Sequence, residues 1–187
     1  MKRIFLLLSL VVFVFSASAQ VNFDSYVGTW IYQNNDTVFK IKLQKGTVLY
    51  TSLSKVKSAI FGGYSLSIKG VMKENYIAQQ LPLRWDPDVL APSLNIYIIG
   101  SYYDSASLKF KFFDQRMNHI EGEGLWGGRM KLIAPNKLHW TLNEDEGRWW
   151  AVEGRSGYQY EEKGFSVPAD VIMTKVDDQM IDASGRE

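Results

Sequence analysis

Apolar and polar residues alternate with period two along most of the chain. Phe39, Ile41 and Leu43 share one phase and Lys40 and Lys42 the other. Leu108, Phe110 and Phe112 alternate with Lys109 and Lys111, and Leu138, Trp140 and Leu142 with Lys137, His139 and Thr141. Side chains one residue apart on a strand point to opposite faces, so each run predicts a strand with one buried and one wet face, as in antiparallel sheet. Gly28–Gln33, Val48–Leu53, Tyr64–Lys69, Leu94–Gly100, Ile120–Leu125, Arg129–Ile133 and Val171–Val176 read as further strands. The total is about ten, with no long amphipathic helix competing.

Turn chemistry agrees with that pattern. Asn34-Asn35-Asp36 predicts a hairpin, and Ala134-Pro135-Asn136-Lys137 places Pro and Asn where a tight turn accepts them. Gly46, Gly62-Gly63 and Gly127-Gly128 read as strand ends. From Gln79 to Ser93, Pro82, Pro87 and Pro92 preclude a central strand, which leaves a long loop of the kind that often serves as a lid or binding loop. The expected fold is a single all-β antiparallel barrel of eight to ten strands, closed or open, with a sandwich as the alternative.

The N-terminus adds a compartment. Lys2 and Arg3 precede an apolar run from Ile4 to Phe15, and Ala17-Ser18-Ala19 supplies small residues at the positions a signal peptidase reads. The run is shorter than a bilayer-spanning helix requires. Residues 1–19 are therefore expected to be a cleaved signal peptide and 20–187 one domain, exported to the periplasm or beyond the cell, with no transmembrane segment in the mature chain. Removing Lys2 and Arg3 from the 21 basic residues leaves 19 against 20 acidic ones, scattered along the sequence, which is no footprint for nucleic acid. There is no cysteine, so the fold rests on its core rather than on disulfides, and 14% aromatic residues supply that core.

The opening Asn22-Phe23-Asp24-Ser25-Tyr26-Val27-Gly28-Thr29-Trp30 resembles the start of a lipocalin or calycin barrel. The resemblance implies that Gly28 permits a tight bend and that Trp30 closes one barrel end against a basic residue. Arg148 and Lys175 are the candidates for that partner. Three stretches are similar to a domain-of-unknown-function family of small exported proteins of Bacteroidetes-type bacteria. They are Val27–Trp30 with Phe39–Lys45, then Lys137–Leu142, then Gly164–Lys175. This resemblance implies a fold and a compartment, and no mechanism.

Most catalytic chemistries lack their residues. The lack of Cys excludes cysteine catalysis, and Gly154-Arg155-Ser156-Gly157 lacks the spacing of a nucleophile elbow, so nucleophilic hydrolysis is poorly supported. His139 falls on a wet strand face and His119 in a turn, so both read as surface residues, and two distant histidines do not make a zinc site. Nor does Ile31-Tyr32-Gln33 after the tryptophan provide a haem-binding extension. Asp86-x-Asp88 and Glu144-Asp145-Glu146 lack calcium-loop spacing and read as solvated turns. No cofactor or metal is expected. Glu121 and Glu123 share a strand face compatible with a glycosidase pair, but the flanking glycines favour an exposed edge.

Aromatic residues are the remaining signal. Trp85, Trp126, Trp149, Trp150, Tyr102, Tyr103, Tyr158 and Tyr160 lie near loops. The leading expectation is a non-enzymatic binding protein for a small hydrophobic or amphipathic molecule. Its candidate lining is Phe39, Ile41, Leu66, Ile98, Phe110, Trp140 and Trp149, with Gly28, Trp30 and Arg148 structural. A solid-core domain that binds a glycan or protein through surface tryptophans is the alternative, and a hydrolase acting through Glu121 and Glu123 comes last.

Overall fold

A computed structural model of the chain describes residues 22–77, 82–86, 96–104, 107–119, 122, 124–146 and 163–176. For residues 51 and 102–104 only the backbone is described. A short 3-10 helix, Phe23–Tyr26, leads into β1 (Gly28–Asn34), β2 (Thr37–Tyr50), β3 (Lys55–Ile68) and β4 (Val71–Asn75). There follow β5 (Arg84–Trp85), β6 (Ile98–Asp104), β7 (Ser107–Phe112), β8 (Leu125–Ala134), β9 (Lys137–Leu142) and β10 (Asp170–Val176). Strands β3-β6-β7-β8-β9-β10-β1-β2 form an antiparallel ring that the β2–β3 pairing closes, giving an eight-stranded barrel. β4 adds to an edge of β3, and β5 adds in parallel to β2.

The period-two pattern explains the closure. Phe39, Ile41, Leu43, Tyr64, Leu66, Ile98, Leu108, Phe110, Phe112, Leu138, Trp140 and Met173 are all buried in one cluster inside the ring. A second cluster lies on the opposite face of β3 and β6. There Val48, Ala59, Phe61, Ile96, Ile99 and Phe113 pack together with Trp85 against them. β3 is buried on both faces for this reason, which hides its alternation.

Strand boundaries depart from expectation where glycine is concerned. Gly46 lies inside β2, Gly62-Gly63 inside β3 and Gly127-Gly128 inside β8, so these glycines do not end strands. Their role is close approach. A Cβ on Gly63 would sit 2.3 Å from the Tyr76 carbonyl oxygen, so only glycine lets the chain after β4 cross that face of β3. The uninterrupted β2 and β3 thus make one long ribbon in place of three shorter pieces. β4 and β5 were not expected, and β5 falls within the proline-containing stretch, the rest of which lies largely outside the described residues. Among the described residues no helix is long and apolar enough to cross a membrane.

The strand directions define two barrel ends. One carries the start of β1, the β2–β3 tip and the β6–β7 and β8–β9 turns. The other carries the ends of β7 and β9, the start of β10 and the β3–β4 turn.

Candidate functional site

Trp30, two residues into β1, lies toward the first end. Its indole is fully buried and its Nε1 donates to the Tyr26 carbonyl at 2.8 Å. Lys175 on β10 places Nζ 5.3 Å from the centre of the Trp30 ring, a cation–π distance. Gly28, at φ +120°, makes room for this, since a Cβ there would meet Lys175 Cε at 2.9 Å. Lys175 is thus the basic partner of the tryptophan; Arg148 lies outside the described residues.

The candidate lining residues Phe39, Ile41, Leu66, Ile98, Phe110 and Trp140 all come together, buried in the barrel interior. Trp140 is their hub, with ring centres 4.5 Å from Phe110, 5.5 Å from Phe39 and 5.7 Å from Phe112. These side chains contact one another directly. Trp149 lies outside the described residues, as do Trp150, Glu121 and Glu123.

A different set of residues collects at the second end. Tyr64 points inward from β3, and its hydroxyl donates to Glu74 Oε1 at 3.1 Å while accepting from the Gln115 backbone N–H. Ser166 Oγ lies 3.1 Å from Glu74 Oε2 and 2.7 Å from Asp114 Oδ1. Asp114 also accepts from the backbone N–H groups of Arg116, Met117 and Ser166. Glu74 and Asp114 are buried, at 5% and 2% exposure. Neither pairs with Lys or Arg among the described residues. Tyr76 and Tyr97, both half-buried, stack at 4.4 Å beside Tyr64.

Local irregularity brings Glu74 there. Lys69 and Gly70, both at positive φ, turn the chain back into β4. The register then slips, with Ser67 opposite Met72 but Leu66 opposite Glu74. Unbroken pairing would have put Lys73 against Leu66 and sent Glu74 to the other face. Asp114 is more legible, being the next residue in phase after Leu108, Phe110 and Phe112. Ser166 has no comparable signal.

Ser166 carries one hydroxyl hydrogen for two carboxylate oxygens. If it donates to the nearer Asp114, Glu74 Oε2 must itself carry a proton to complete the bond to Ser166 Oγ. The electrostatics agree. Burial pushes the Glu74 carboxyl above its usual range, the bonds from Tyr64 and Ser166 oppose this, the Asp114 charge adds to the rise, and the nearby Arg116 charge takes a smaller part of it away. Burial likewise raises the Tyr64 phenol, so it stays a donor.

A carboxyl whose folded pKa is raised contributes stability in full below its unfolded value, and that contribution fades as pH rises through the folded value. Glu74→Gln mimics the protonated form, with an amide N–H in place of the carboxyl proton. Chemical denaturation should therefore show wild type and Glu74→Gln alike near pH 4 and the variant more stable near pH 8. A wild type that gains on the variant as pH rises would contradict the shared-proton arrangement.

Other polar residues pair within the fold. His119 corrects the surface assignment: it is buried, with Nε2 2.9 Å from the Gly164 carbonyl oxygen and its ring edge-on to Phe165. His139 is half-buried and pairs with Asp170 at 2.7 Å. In the acidic turn, Glu144 accepts from the Gly164 N–H and Glu146 pairs with Arg129. Among the described residues no group of three or more His, Asp or Glu side chains is arranged to hold a metal ion.

No curated protein and no solved structure matches the chain. One family model does match, over residues 1–176, and on that extent the chain belongs to this family of unknown function, DUF6705.

Proposed function

We propose that this is an exported, non-enzymatic binding protein that takes a small amphipathic molecule at the Tyr64–Glu74–Asp114–Ser166 end of its barrel. The observation that carries the reading is a pair of buried carboxyl groups without a paired Lys or Arg among the described residues, set beside the stacked rings of Tyr76 and Tyr97. The negative charge collected at this end favours a head group that carries positive charge, and half-buried tyrosine rings favour a flat or aliphatic body. Packed interior residues such as Phe112 and Trp140 supply a floor beneath that site. Acid–base hydrolysis is disfavoured, because Ser166 occupies the space between the carboxyl groups where a scissile bond would have to lie.

Two fluorescent probes test this, dansylcadaverine with a cationic amine and dansyl-undecanoic acid with an anionic head. The amine should bind more tightly, and Tyr97→Ala should weaken it about tenfold while leaving the circular dichroism spectrum unchanged. Failure of wild type to bind the amine, or preference for the acid, would overturn the reading.

A further inference from the structure

The β2–β3 ribbon runs past the Trp30 end of the barrel, away from the site above. β3 leaves β6 at Ile60, and among the described residues Lys55–Ala59 pair only with β2. At about 3.3 Å per residue this carries the ribbon roughly 17 Å beyond that pairing. The tip exposes aliphatic side chains. Leu53 is 69% and Val56 60% exposed, and Leu83, beside β5 against the same ribbon, is 70% exposed.

The two faces of the ribbon differ. Val56 stands opposite Leu49 in the phase that continues the barrel interior, whereas Lys55 and Lys57 occupy the other face with Tyr50. Lys57 Nζ lies 5.5 Å from the Tyr50 ring centre. No acidic residue occurs from Gln44 to Phe61, and exposed Arg84 adds a third cation opposite Thr47. Exposed aliphatic groups with lysines and a tyrosine on a projecting tip have the composition of an interfacial anchor. The cations complement an anionic surface.

We propose that this tip inserts Leu53 and Val56 into the headgroup region of an anionic lipid bilayer, with Lys55, Lys57 and Arg84 contacting its phosphates. A like-charged or neutral surface offers the cations nothing, so binding depends on acidic lipid and weakens with salt. The β3–β4 turn at the opposite end supplies an internal control. It too exposes aliphatic residues, Val71 and Met72, between exposed Lys69 and Lys73, but β2 accompanies β3 as far as Ile68 there, so this turn does not run past its partner strand.

The absence of cysteine permits a local readout in the full chain. Leu53→Cys and Met72→Cys are each labelled with the polarity-sensitive dye NBD and mixed with vesicles of phosphatidylcholine, alone or with roughly one-third phosphatidylglycerol. The label at position 53 should shift to the blue and brighten with the acidic vesicles, and that at 72 should not. Adding Lys55→Gln and Lys57→Gln should lower the affinity seen at position 53 about tenfold or more. No change at position 53, equal changes at both positions, or insensitivity to loss of the lysines would each overturn the proposal. Because the dye reports its own surroundings, binding through any other segment does not imitate the result.

Discussion

Asp114→Ala should cost the fold about 4 kcal/mol, a large part of the stability of a domain this size. The carboxylate is almost fully buried and accepts from three backbone N–H groups and the Ser166 hydroxyl. Truncation leaves those donors without their acceptor, and each buried donor so orphaned costs roughly 1–3 kcal/mol. Arg116 is exposed and its N–H can find water, which keeps the total below the sum of the parts. Asp114→Asn separates charge from geometry. It can keep the acceptor at Oδ1, but its amide faces the Ser166 N–H as donor against donor, so about 2 kcal/mol should be lost. Guanidinium denaturation measures both. Equal small losses would show that Asp114 does not tie the 114–119 loop to the segment before β10.

Trp140→Ala is the second large expected effect, at about 3–5 kcal/mol. The indole is fully buried, touches Phe39, Phe110 and Phe112, and donates from Nε1 to the Pro168 carbonyl at 3.1 Å. These contacts join β2, β7 and β9 across the interior, so no single neighbour can close the space left behind. Trp140→Phe should lose less, about 1–2 kcal/mol, through a smaller void and the unmet Pro168 oxygen. A drop below 1 kcal/mol for the alanine variant would mean that the interior is not packed around this ring.

The barrel was legible because its strands are mostly wet on one face. Phe39–Leu43, Leu108–Phe112 and Leu138–Leu142 alternate cleanly, and all three turn their apolar phase inward. Where a second layer covers the outside, the pattern fails. Residues 59–66 of β3 are buried on both faces, so their run reads as an irregular apolar stretch broken by glycines. Glycine was misread for the same reason, since Gly46 and Gly63 permit contact between layers rather than turns.

The candidate site was harder to see. Asp114 continues an inward phase and could have been flagged as a charge on an apolar face. Glu74 depends on a register slip between Leu66 and Ser67, and Ser166 on a nonregular segment far along the chain. Neither follows from local periodicity. The polar contacts that define the site are set by tertiary register, whereas the core that supports it is set by alternation.

The most direct test of where a ligand binds is the pattern of backbone amide chemical-shift changes when dansylcadaverine is titrated into the isotope-labelled protein. Changes should concentrate at Glu74, Tyr76, Tyr97, Gln115 and Ser166 and be small at Phe39, Ile41, Trp140 and Trp30. The largest changes at Phe39, Ile41, Phe110 and Trp140, with the polar end unmoved, would place the ligand within the barrel interior and contradict the account.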